Sequence, residues 1–136
     1  MAETTKQSDY PDKHPDSYII TLDWDMDHSG FKESVSWKIL KQWVRTNRKY
    51  TVLKVESRKS SHQNVHIRLS IERKDGHIIS QIEEYMIRSH LRDDSDRIRL
   101  DLQRLYFNKE TNRLWDAKIT KDEILESSDW KIEVLW

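Results

Sequence analysis

The chain has 136 residues, with 24 Lys plus Arg against 24 Asp plus Glu and a formal net charge of zero. That balance excludes a protein held to phosphates by bulk charge alone, so nucleic-acid binding would need a local cluster. Cysteine is absent, which removes disulfides, thiol nucleophiles and thiolate metal sites and fits an intracellular, cytoplasmic setting.

No apolar run is long enough for a membrane-spanning helix, and the polar start carries no secretory pattern, so no membrane partner is expected. The length suits one domain with its own core. Residues 1–16, which include Pro11 and Pro15, read as a disordered tail, and 17–136 as a single α+β domain.

Residues 18–25 alternate, with Tyr18, Ile20, Leu22 and Trp24 on one side and Ile19, Thr21, Asp23 and Asp25 on the other. That period of two predicts a strand. From Phe31 to Arg48 the spacing changes to three and four, an amphipathic helix with Phe31, Val35, Ile39, Leu40, Trp43 and Val44 inward. Residues 50–57 and 64–72 predict two further strands. The second sets Val65, Ile67, Leu69 and Ile71 against His66, Arg68, Ser70 and Glu72.

After the turn at Arg73–Gly76, residues 77–91 read as a helix with Ile78, Ile79, Ile82, Tyr85 and Met86 inward. Asp93, Asp94 and Ser95 supply cap residues for a helix over 92–107 with Ile98, Leu102 and Leu105 inward. Strands at 114–120 and 129–136 follow, the last alternating through Trp130, Ile132, Val134 and Trp136. The six tryptophans read mostly as core. The order of elements predicts a ferredoxin-like or RRM-like split βαβ sandwich with one open sheet face.

The chemistry-bearing residues fall on that open face or in the loops beside it. Asp23 and Asp25, about 7 Å apart along a strand, suit a hard cation such as Mg²⁺ or Mn²⁺, or are simply a solvated strand end. His66 and Arg68 share the polar face of their strand. The preceding loop, SRKSSHQN, offers Lys59, Ser60 and Ser61 to phosphates or is an ordinary polar hairpin. Asp101 sits between Arg97 and Arg104 at helical ion-pair spacing, and Asp93 and Asp94 read as caps.

Taken in order, "LDWD", "ESRKSSHQNVHIRL" and "LRDDSDRIRLD" resemble the catalytic core of the archaeo-eukaryotic primase superfamily, in its small plasmid- and virus-type primase-polymerases. The resemblance spans roughly residues 18 to 105. It implies two-metal nucleotidyl transfer on a nucleoside triphosphate and a single-stranded nucleic acid, in DNA replication, with a replication protein as a further partner. It would make Asp23, Asp25 and Asp101 catalytic, with Asp93 and Asp94 as other candidates for the third metal-holding acid. Lys59, Ser60, Ser61, His66 and Arg68 would bind nucleotide.

The alternative is a non-catalytic relative, a ferredoxin-like sheet that binds nucleic acid or protein. The strand VHIRLSI carries no aromatic on which a base would stack, which counts against an RNA-recognition sheet of the usual kind. A nicking initiator ranks last, because its His-hydrophobic-His motif is broken at His66-Ile67-Arg68.

Overall fold

The structure, a computed structural model, describes residues 17–106, 117–119, 124–126 and 129–135. Strand β1 (Tyr18–Trp24) leads through a 3-10 turn (His28–Glu33) into helix α1 (Val35–Thr46). Then come β2 (Tyr50–Lys59), β3 (Val65–Arg73), α2 (Gln81–His90), α3 (Ser95–Tyr106), β4 (Ala117–Ile119), β5 (Ile124–Glu126) and β6 (Lys131–Ile132). The expected tail at 1–16 lies outside the described residues.

The class is α+β, built on a four-stranded antiparallel sheet in the order β1-β3-β2-β6, with β4 and β5 paired separately. β1 and β2 each run antiparallel to β3, so they are parallel to one another with α1 crossing between them, which is a split βαβ unit. A ferredoxin-like sheet places its last strand beside β1; here β6 pairs with β2 instead.

Alternation along β1 and β3 works as expected. Ile20, Leu22 and Trp24 are buried against Val65, Ile67, Leu69 and Ile71, in one apolar layer with Trp37 and Leu40 of α1 and Ile87 of α2. Trp24 also donates from Nε1 to the Leu91 carbonyl at 2.9 Å, tying β1 to the end of α2.

The helices depart from expectation in instructive ways. The run from Phe31 to Arg48 is broken at Ser34, which is extended and whose hydroxyl accepts from the Trp37 amide to start α1. Phe31 still reaches the core from the 3-10 turn, but Val35 is exposed and Trp37 takes its place inside. α2 begins at Gln81 rather than His77, because Ser80 and Glu83 close a reciprocal capping box.

The inward face of α2 also differs. Ile78, Ile82 and Met86 are exposed, whereas Ile87 and the charged Glu84 and Arg88 are buried. Burial of those charges follows from their partners. Arg88 Nη1 meets Glu84 at 3.1 Å and Asp101 at 2.8 Å, Arg88 Nε meets Asp93 at 2.8 Å, and the Tyr18 hydroxyl donates to Glu84. In α3, Leu102 is exposed and Ile98 half-buried, while the side chain of Leu105 lies outside the description.

α2 ends in a Schellman turn. Arg92 adopts φ 67, its amide donates to Ser89 O and the Asp93 amide to Arg88 O. This turn carries Asp93 to the free margin of β1. The expected strand 114–120 is seen as β4, and β5 was not foreseen. The strand expected over 129–136 shortens to β6 and turns its apolar side outward: Ile132 and Val134 are exposed, and Glu133 and Leu135 are buried. Trp136 lies outside the described residues.

Candidate functional site: a row of side chains across the open sheet face

Register places side chains in rows across the polar face of the sheet. Asp23 lies opposite His66 and His66 opposite Arg58. Continuing the β2–β6 register brings Trp130 beside Arg58. The contacts agree: Arg58 Nε donates to His66 Nδ1 at 2.9 Å, and the Arg58 guanidinium lies 4.4 Å from the Trp130 ring centroid. A second row joins Thr21, Arg68, Glu56 and Ile132. Arg68 forks onto Glu56 (2.8 and 3.1 Å) and stacks on the same indole at 4.2 Å. Trp130 is therefore held against two guanidiniums, half-buried, on the face that carries His66.

The strand acids meet different fates. Asp23 shares the face of His66, with Oδ1 3.9 Å from His66 Nε2. Asp25 lies beyond the end of β1, is exposed, and accepts from Asn64 Nδ2 at 3.3 Å. Burial pushes the Asp23 carboxyl up to about 6; the Arg97 guanidinium opposes this, and Asp93, Asp94 and Asp25 act in the same direction as burial.

A folded value above the ordinary 3.8 means that the fold bears the cost of the charge at neutral pH. That cost fades as pH falls through about 6 and is gone below the unfolded value of about 3.8. Asp23→Asn is therefore expected to stabilise the protein by about 1–2 kcal/mol at neutral pH, and by only about a few tenths of a kcal/mol near pH ~4. Urea unfolding of both proteins at the two pH values checks this. An equal gain at both would show that the charge is not its source.

Asp93 is the later acid that reaches Asp23. Its Oδ1 accepts the amides of Asp23 (2.7 Å) and Asp94 (2.9 Å), and its Oδ2 accepts Arg88 Nε and Arg97 Nη1, both at 2.8 Å. Asp94 closes the margin by donating its amide to Asp23 O, and its carboxylate starts α3 by accepting from the Asp96 amide. Arg97 completes the seal through Thr21 O at 3.0 Å and the Thr21 hydroxyl.

Asp101, expected to be catalytic, is instead buried against Arg88, with Arg104 at 4.0 Å. Among the described residues no group of three or more His, Asp or Glu is arranged to hold an ion. With both Asp93 oxygens committed to amides and guanidiniums, and Arg97 set where a cation would be repelled, these side chains do not fit a two-metal centre.

The loop before β3 is also closed on itself. Ser60 Oγ accepts the amides of His62 (3.2 Å) and Asn64 (2.9 Å), the Ser60 amide donates to Asn64 O, and Gln63 turns at φ 71. Ser60 is buried, Ser61 half-buried, and Lys59 alternates to the side opposite Arg58 and His66. The expected nucleotide-binding set thus divides: His66 and Arg68 are brought together, and Lys59 and Ser60 are turned elsewhere.

Sequence reasoning placed Arg58 in the loop offered to phosphates and Arg97 in a helical ion pair, and it missed Trp130 and Glu56. Only the pairing of β6 with β2 and of α3 with β1 exposes their roles. A cleft of about 400 Å³ beside the 3-10 turn is lined by His28, Lys32, Ser57, Arg58, Lys131 and Glu133. No helix among the described residues is long and apolar enough to cross a membrane. Comparison of the chain with protein-family models, with curated proteins and with solved structures finds no match.

Proposed function

We propose that the chain is a non-catalytic module that holds single-stranded nucleic acid at Trp130, on the polar face of its sheet. The observation that carries this reading is Trp130, half-buried and stacked against Arg58 and Arg68 in the row with His66. The indole, backed by two guanidiniums, offers a base a stacking partner, while Arg58 itself is buried and bonded to His66. Arg68 is neutralised by Glu56, and the net charge of the chain is zero. Binding should therefore rest on stacking more than on charge.

Fluorescence polarisation with labelled single-stranded oligonucleotides tests it. Trp130→Ala should weaken binding tenfold or more, since a stacked base is worth about 1–3 kcal/mol. The salt dependence should be shallow, with a log–log slope no steeper than about −0.7, the value for one phosphate contact on a single strand. An affinity unchanged by Trp130→Ala rejects the reading. Incorporation of labelled nucleotide with Mn²⁺, above that of an Asp23→Ala control, would restore the nucleotidyltransferase implied by the family resemblance.

A further inference from the structure

The cleft beside the 3-10 turn opens on the side of the sheet that carries the helices. Lys131 pairs with Ser57 and Ser57 with Ile67, so these side chains share one side, and Trp130 alternates to the other. The floor of the cleft is fixed by buried groups. The Ser57 hydroxyl donates to one oxygen of Glu133 at 2.6 Å, and Lys32 Nζ meets the other at 2.7 Å. The Phe31 and Trp37 rings, each 5.9 Å from Lys32 Nζ, hold the same ammonium from a second side. Lys32 is thus set in place while its side chain stays 51% exposed.

His28 stands opposite, half-buried, with its ring 5.1 Å from that of Phe31. Burial holds its imidazole below the usual histidine range; Lys59 adds to this, Glu133 opposes it, Lys131 adds again and Asp27 opposes. The Asp27 carboxylate is itself engaged by the Ser29 amide, and Glu33 and Asp129 are exposed at the rim. Cations from the 3-10 turn, β2 and β6 therefore gather around one imidazole at a concave site. Like charges brought together repel, and an anion between them relieves the repulsion. A phosphoryl group offers three acceptor oxygens and up to two charges, which suits donors arriving from three segments better than a planar carboxylate does. The cleft, about 400 Å³, has the size of a small-molecule site.

We propose that this cleft binds the phosphoryl group of a phosphate monoester, held by Lys32, Lys131 and His28, with Lys59 adding charge beside the imidazole. Binding reverses the field at His28, so the ring takes up a proton as the phosphate arrives.

Titration of inorganic phosphate into the whole chain, followed by the NMR signals of the His28 ring, tests the proposal. His28→Gln identifies those signals among the six histidines. The signals should move saturably, and phosphate should raise the pH at which they titrate. Lys131→Ala, an exposed change, should weaken binding about tenfold, the effect of losing one charge-assisted contact. Lys59→Ala should weaken it less, and Lys74→Ala, exposed in the turn after β3, should leave it unchanged. Circular dichroism establishes that each variant is folded.

No response at His28 overturns the proposal, as does a response that sodium chloride at matched ionic strength or acetate at equal concentration reproduces. An affinity unchanged by Lys131→Ala overturns it too. Competition by ribose 5-phosphate or by a 5′-phosphorylated oligonucleotide, each set against its unphosphorylated twin, distinguishes a free monoester from a nucleic-acid end; competition by neither overturns the assignment. Trp130→Ala should bind phosphate as the wild type does, which separates this site from the one on the polar face. Loss of phosphate binding in that variant would merge the two and reject a distinct site.

Discussion

Asp93→Ala should cost about 3–5 kcal/mol of stability, a large share of the roughly 5–15 kcal/mol that a domain of this kind possesses. The carboxylate is buried and accepts four hydrogen bonds, two from main-chain amides and two from guanidiniums. Removing it leaves Arg97 beside Thr21 and Arg88 with one fewer acid, both desolvated, and it orphans the Asp23 amide at the sheet margin. Urea unfolding gives the number. Asp25→Ala, at an exposed position, is the control and should lie within about 0.5 kcal/mol of wild type. A loss for Asp93→Ala no larger than that would show that the network is not what holds α3 to β1. The same pair of variants separates the roles that sequence alone assigned jointly, since a shared metal site would make both acids dispensable to folding.

Trp24→Ala should cost a comparable amount, about 3–5 kcal/mol. The indole is fully buried between Phe31, at 6.5 Å between ring centroids, and the β-sheet layer, and its Nε1 is bonded to the Leu91 carbonyl. Truncation opens a cavity and leaves that carbonyl without its donor. Trp24→Phe separates the two terms. It retains most of the ring volume and should cost about 1–3 kcal/mol, mainly from the unsatisfied carbonyl. Equal losses for the two variants would mean that packing against Phe31 contributes little. Both midpoints come from the same denaturant titration.

The parts of this molecule that were legible in its sequence are those whose periodicity is set locally. β1 and β3 each have one side in water or among polar groups and one in the core, so their alternation named Ile20, Leu22, Ile67 and Leu69 correctly and put Asp23 and His66 on one face. α2 was misread because apolar spacing cannot register a partner on another element. Glu84 and Arg88 go inward only because Tyr18, Asp93 and Asp101 meet them there. The start of α2 was readable after all, since Ser80 and Glu83 spell a capping box at the standard spacing.

β6 failed for a related reason. Glu133 is drawn to the inner side by Ser57 at 2.6 Å and Lys32 at 2.7 Å, and that fixes Ile132 and Val134 outward. The candidate site shows the same limit. Its acids and His were visible one by one, whereas Trp130 joins them only through a strand pairing that spans more than half the chain.

The seal that Asp93, Asp94 and Arg97 form along β1 has a consequence for how copies of this chain can accumulate. A flat sheet with two open margins is multivalent, and repeated addition turns it into a fibre. Here the C-terminal half of the β1 margin is closed by side chains and a helix start, which removes that stretch as a template for an added strand. At the other margin β6 is only two residues long and carries the exposed Lys131, so both ends of the sheet are poor templates for open-ended polymerisation.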